Sequence, residues 1–214
     1  LKIEKENYEA LRDKSYIYFL KNNYIEAKKN IENISKLKDD DYFGNNIKGL
    51  IYLKNNNFDD AKILFEKAIK INNQYIDSYN NLGTCLLELE KLSEAQKIFN
   101  HAYKIDKKNV STLINLGNVL SLQDDVAGAV KHYNEALRLD PNNIEILSNL
   151  AICYCRDSNE KKAKLYYDKV LKINPHDYKL MYAYCTLQLK LNNFDKSWEL
   201  FDSRLLIEKN KHKL

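Results

Sequence analysis

Three glycines, Gly49, Gly83 and Gly117, stand 34 residues apart (83−49, 117−83), and Ala151 takes the same place one interval later. A second ladder runs in phase with the first: Ala27, Ala61, Ala95, Ala129 and Ala163, closed by Ser197. The two prolines, Pro141 and Pro175, keep the same interval. A fixed period of this size means one supersecondary unit copied along the chain. Each copy then buries its apolar face on the next, so the 214 residues fold as an array with one continuous core.

Windows of one period run 8–41, 42–75, 76–109, 110–143, 144–177 and 178–211 without an insertion. The window 110–143 is the clearest. Its first half, about Ser111 to Leu122, places Leu113, Leu116, Gly117 and Leu120 at i, i+3, i+4 and i+7, one face of a helix. Gln123-Asp124-Asp125 breaks that pattern. The second half, about Val126 to Leu139, sets Val126, Ala129, Val130, Tyr133, Ala136 and Leu137 on one stripe. Asp140-Pro141 ends it, because proline cannot continue a helix and disfavours helix in the residue before it. Each unit reads as an antiparallel helix pair with a short turn. Gly117 and Ala129 are expected where the two helices cross, with Ala136 serving the contact to the following unit. An overpacked side chain there costs about 1–3 kcal/mol, against about 1 kcal/mol for glycine within a helix.

The sets Leu82-Gly83, Leu86, Ala95, Phe99, Ala102 and Leu116-Gly117, Leu120, Ala129, Tyr133, Ala136, Pro141 resemble the tetratricopeptide repeat. The resemblance covers residues 8 to about 207 and is weakest in the terminal windows. Asp13-Lys14-Ser15 stands where Leu-Gly is expected in the first, and Tyr184-Cys185 in the last. It implies an all-α fold, an α-solenoid of six 34-residue helix-turn-helix repeats wound as a right-handed superhelix. Residues 1–7 are then an N-terminal extension, 8–207 a single solenoid and 208–214 a polar tail. The concave surface is lined by the first helix of each pair.

On that inner face the residue before Leu-Gly is Asn81, Asn115 or Asn149 in three successive units, with Asn80, Thr84, Ser111, Asn118, Ser148 and Ile152 around them. A carboxamide offers an acceptor and two donors, so it can pair with a peptide C=O and N–H together. A ladder of amides therefore suits an extended segment of a partner, as in other tetratricopeptide superhelices. The expected peptide-binding residues are Asn80, Asn81, Thr84, Asn115, Asn118, Ser148, Asn149 and Ile152. The alternative is that asparagine at this phase fixes adjacent helices to each other. A clamp for a terminal carboxylate, known in chaperone-binding members, needs paired cations. Arg12 and Lys179 are five units apart, and Glu9, Asp77 and Glu145 oppose an anion, so that mode is rejected.

Tyr24, Phe58, Leu92, Val126 and Phe194 recur where the second helices start, and Glu160 interrupts them; regular spacing favours core packing over base stacking. In the last unit Phe194, Trp198, Phe201 and Leu205 form a stripe at i, i+4, i+7 and i+11 that no following unit covers. An exposed stripe of this kind marks an interface. Trp198, Glu199, Phe201 and Arg204 are similar to the ending of bacterial tetratricopeptide arrays that precede a glycosyltransferase-like domain, although Ser203 replaces an aromatic.

Charge excludes little but points away from nucleic acid: the net charge is +4, and cations and anions are interspersed rather than gathered on one face. No run of about 18 apolar residues exists to span a membrane. Cys85, Cys153, Cys155 and Cys185 share no disulfide spacing, and His101, His132, His176 and His212 join none of them at ligand spacing. Unpaired thiols fit a reducing, cytoplasmic compartment, and neither metal nor cofactor is expected. Asp39-Asp40-Asp41 reads as a solvated turn. The chain starts at Leu1 without Met, which leaves room for a removed targeting segment. With no phosphate loop or nucleophile elbow, the reading is a non-enzymatic scaffold that binds a protein or peptide in its groove. The alternatives are the accessory array of a glycosyltransferase and a scaffold that self-assembles through the Trp198 stripe.

Overall fold

The computed structural model describes residues 2–37 and 41–201. Within them are twelve helices and no strand: α1 (Lys2–Leu20), α2 (Tyr24–Leu37), α3 (Tyr42–Lys54), α4 (Phe58–Ile71), α5 (Ile76–Glu88), α6 (Leu92–Ile105), α7 (Val110–Leu122), α8 (Val126–Leu139), α9 (Ile144–Arg156), α10 (Glu160–Ile173), α11 (Tyr178–Lys190) and α12 (Phe194–Phe201). The starts of α3, α5, α7, α9 and α11 repeat the sequence period, as do those of the six even-numbered helices. Helix α1 takes in Lys2 to Asn7, ahead of the first window.

The chain divides into two compact units, residues 1–115 and 116–214. In the first, α1 packs on α2, α3 on α4 and α5 on α6, and the α4 face closes on α5. Phe19, Ala27, Ile31, Phe43, Ile47 and Ile51 form its N-terminal core. In the second, α9 packs on α8 and α10, and α11 on α10 and α12. Ala27, Ala61, Ala95, Ala129 and Ala163 are all fully buried, which explains why this phase tolerates nothing larger.

The glycine phase has a partner that the sequence does not display. Gly49 of α3, Gly83 of α5 and Gly117 of α7 each face an aromatic ring 16 residues later, across the helix pair: Phe65 for Gly49, Phe99 for Gly83 and Tyr133 for Gly117. A methyl group at Gly49 would lie 2.6 Å from Cε1 of Phe65. The nearest neighbour of the helix backbone at these glycines is thus a ring of the second helix. At the same phase Ser15 in α1 is fully buried, its hydroxyl donating to the Leu11 carbonyl at 2.7 Å, and its opposite number is the smaller Ile31.

Every helix pair turns in one way. Asn22, Asn56, Glu90, Asp124, Ser158 and Asn192 have positive φ, one per period, and no glycine does. The next residue's N–H reaches back to the helix carbonyl five residues earlier, as Asn57 N to Tyr52 O at 2.9 Å and Lys91 N to Leu86 O at 2.8 Å. This is the Schellman ending, usually built with glycine at the left-handed position. The starts of α3, α8 and α11 are capped by side chains: Asp41 accepts from Gly44 N at 2.5 Å, Asp125 from Gly128 N at 2.9 Å and Asp177 from Leu180 N at 3.0 Å. Asp41 also accepts from the Tyr8 hydroxyl at 2.6 Å and is buried, so it is a structural cap and not a solvated turn; Asp39 and Asp40 lie outside the described residues.

Candidate functional site

Residues of α1, α3 and α5 and the first part of α7, the leading helices of their pairs, enclose a cleft of about 630 Å³ in the first unit. Its lining divides into two chemically different parts. Arg12, Tyr16, Tyr42, Phe43 and Tyr75 form an aromatic and cationic part; Asn46, Asn80, Asn81, Thr84, Ser111 and Asn115 form an amide and hydroxyl part. Asp13, Lys54 and Asp77 complete the charges, two cations against two anions.

The amide part is built from a joint that occurs twice. Asn46 Oδ1 accepts from the Ser78 hydroxyl at 3.2 Å and from Asn81 Nδ2 at 2.9 Å. One period later Asn80 Oδ1 accepts from the Thr112 hydroxyl at 3.0 Å and from Asn115 Nδ2 at 3.5 Å. Asn46 and Asn80 are buried, and their carbonyl oxygens are fully occupied by these bonds. Asn81 and Asn115 are half-buried; each spends one N–H on the joint, and the Oδ1 of each has no partner among the described residues. Thr84 donates its hydroxyl to the Asn80 carbonyl at 3.0 Å, which leaves its oxygen able to accept.

In the aromatic part Tyr42 and Tyr75 meet edge to face, with centroids 4.9 Å apart at 61°. The Arg12 guanidinium lies over the Phe43 ring, 4.9 Å from its centroid, and its Nε is 4.0 Å from Asp13 Oδ1. Burial, and then the negative charge of Asp77, push the Tyr75 hydroxyl well above the ordinary phenol range. It therefore stays a neutral donor.

The second unit holds the other expected residues. There the joint is rearranged, because Ile146 occupies the hydroxyl phase of Thr112. Asn149 Nδ2 donates instead to Asn118 Oδ1 at 3.0 Å, and the Tyr133 hydroxyl donates to the same oxygen at 2.6 Å. Ser148 donates to the Ile144 carbonyl at 2.7 Å, and Ile152 is exposed. So the first unit brings Asn80, Asn81, Thr84 and Asn115 to one cleft, while Asn118, Ser148, Asn149 and Ile152 lie together on α7 and α9.

Known families and structures fit this architecture. Residues 45–108 match a family described as tetratricopeptide repeat, and residues 122–157 match one described as TPR repeat. These two stretches are built of tetratricopeptide repeats. Its fold is similar to that in a structure reported as a functional characterization of Pseudomonas aeruginosa PilF, at 17% identity over 94% of this chain and 93% of that one, with a TM-score of 0.84. A likeness to the Cut9–Hcn1 hetero-tetramer of the APC/C has 17% identity, covers 94% of this chain and 40% of that one, and scores 0.81. YrrB, described as a TPR protein with an unusual peptide-binding site, shares 22% identity over 78% of this chain and 85% of its own, with a TM-score of 0.60. Among curated proteins nothing matches. The tetratricopeptide fold supports a role in protein–protein interaction.

The repeat pattern hides the aromatic part of the cleft, because Tyr16, Tyr42 and Tyr75 carry no common phase. Arg12 was legible as a groove residue, but not its stacking on Phe43. At the other end of the chain Phe194 and Trp198 are 54% and 63% exposed, and Trp198 packs edge-on against Phe201 at 5.7 Å. Leu205 of the same stripe lies outside the described residues. Tyr24, Phe58, Leu92 and Val126 are only half-buried where core packing was expected. All four cysteines are unpaired. Among the described residues no cluster could hold a metal ion, and no helix is long and apolar enough to cross a membrane.

Proposed function

We propose that this chain is a peptide-binding scaffold whose first-unit cleft takes an extended segment of a partner protein. The observation that carries the reading is the half-used state of Asn81 and Asn115. Each is held by one amide N–H, and each keeps a carbonyl oxygen and a second N–H unspent beside the cleft. Anchoring one hand of the amide removes the rotamer freedom that binding would otherwise have to freeze. The free hand can then accept a peptide N–H and donate to a peptide C=O. Sequence preference is left to side-chain contacts elsewhere in the cleft.

The test is a displayed library of unstructured peptides, selected on the full chain, with affinities of the recovered sequences measured by fluorescence polarisation. Replacing Asn81 and Asn115 together by Ala removes about 1–3 kcal/mol of hydrogen bonding, or roughly five- to 150-fold in affinity. Helicity is expected to hold, because Asn46 and Asn80 keep their hydroxyl donors. Affinity unchanged in the double variant would remove the cleft from the reading.

A further inference from the structure

The geometry points to a side-chain pocket at the α1–α3–α5 end of the cleft that takes an aromatic residue and receives that residue's own backbone carbonyl on Arg12. This rests on the reading of the cleft as a peptide groove and goes further, by naming what the groove selects. Arg12 is the central observation. It donates no hydrogen bond among the described residues, although a guanidinium carries five N–H groups. Its Nε is enclosed, with only the Asp13 contact at 4.0 Å, while the side chain as a whole is 35% exposed. The exposed portion therefore belongs to the outer part of the side chain. Its position over the Phe43 ring restrains the group, and its terminal nitrogens are donors with no acceptor among the described residues.

Around it stand Tyr16, Tyr42 and Tyr75, each at least partly exposed and all lining the cleft. The Tyr42–Tyr75 edge-to-face pair leaves further ring surface for an incoming ring, and aromatic contacts of this kind add about 0.5–1.5 kcal/mol beyond area burial. The acceptor is a neutral carbonyl rather than a carboxylate for an electrostatic reason. Asp13 already offsets the charge of Arg12, and Asp77 also lines the cleft. A further negative charge would meet two cations, Arg12 and Lys54, already matched by these two carboxylates, and so gain little net attraction. The half-used amides of Asn81 and Asn115 then hold the backbone that continues from the aromatic residue.

An NMR titration of the isotopically labelled full chain with N-acetyl-L-phenylalaninamide tests this, with N-acetyl-L-alaninamide and N-acetyl-L-phenylalanine as comparison probes. The phenylalaninamide should give saturable shifts at the backbone amides of Tyr16, Phe43 and Tyr75, and the alanine probe should not. The carboxylate probe should bind no more than about threefold tighter than the amide, since the local charge is balanced. Arg12→Gln should weaken the phenylalaninamide by about threefold to tenfold, and Arg12→Lys, which keeps charge without the planar fork, by a similar factor. The lysine variant supplies the comparison if the glutamine variant loses helicity. Asn81→Ala with Asn115→Ala should weaken extended peptides by a larger factor than the small probe. Absence of saturable shifts, equal binding of the alanine probe, a larger preference for the carboxylate, or indifference to both Arg12 variants would overturn the pocket. A failed groove leaves extended peptides indifferent to the amide variants, whereas a failed pocket shows in the small-probe titration, so the two failures give different results.

Discussion

Gly83→Ala is the sharpest test of what the period encodes. A methyl group at residue 83 would sit 2.5 Å from Cζ of Phe99 and 2.7 Å from its Cδ1, where ordinary contact begins at 3.4 Å. The ring has to retreat by roughly 1 Å in a close-packed interior. Phe99 is fully buried in α6 between fully buried Ala95 and Ala102, so it has no open side to move into. Overpacking of this kind costs about 2 kcal/mol, while replacing a helical glycine by alanine returns about 1 kcal/mol. The net expectation is destabilisation by about 1 kcal/mol, with the sign set by the ring. In a Phe99→Leu background the obstacle is gone, and the same substitution should become stabilising by up to about 1 kcal/mol. Urea unfolding followed by far-UV circular dichroism reads the midpoint in both backgrounds. Amide exchange at α5 and α6 checks that the change is local, since repeat arrays need not unfold as one unit. A rise in midpoint for Gly83→Ala alone, or the same shift in both backgrounds, would show that the glycine is not there for the ring.

The turns and the thiols give two further expectations. Glu90 holds a left-handed conformation that costs an ordinary L-residue about 1–2 kcal/mol, so Glu90→Asn should raise thermal stability by roughly 0.5–1 kcal/mol. A scanning calorimetry trace with no rise would mean that the Glu90 side chain contributes something that offsets the strain. Burial, with Asp59 adding to it, pushes the Cys85 thiol up to about 11 from 9.0. A raised thiol pKa means that the folded chain holds its proton longer than the unfolded one. Its contribution is complete below about pH 9 and is lost between about 9 and 11 as the unfolded thiol ionises first. Denaturation midpoints measured across that interval should fall less steeply in Cys85→Ala than in the unaltered chain; parallel slopes would exclude this thiol as a contributor.

How much of this was readable in advance differs from residue to residue. The helix pairs were fully legible, because a turn of helix returns apolar side chains to one face every three to four residues and Pro141 marks where that must stop. Ala95 and Ala129 announced tight packing by their recurrence alone. The role of Gly83 was only half legible: its period said that space was short, but the ring filling that space belongs to the partner helix. The left-handed turn residues were hidden by chemistry that does not repeat, since Glu90 and Ser158 share a backbone conformation with Asn56 and nothing else. All five glycines have negative φ; at Gly49, Gly83 and Gly117 the missing side chain makes room for a ring.

The candidate site shows where periodicity stops informing. A one-dimensional pattern determines which residues share a helix face, and so it placed Asn81 and Asn115 on the inner side of their helices. It cannot say which hand of an amide is already taken. Only the tertiary structure decided that Asn46 and Asn80 are spent on joints, that Asn81 and Asn115 are half free, and that Arg12 lies over Phe43 with no acceptor among the described residues. Face membership follows from the local geometry of one helix. Hydrogen-bond satisfaction depends on pairs more than 30 residues apart, whose distances are set by how neighbouring helices pack.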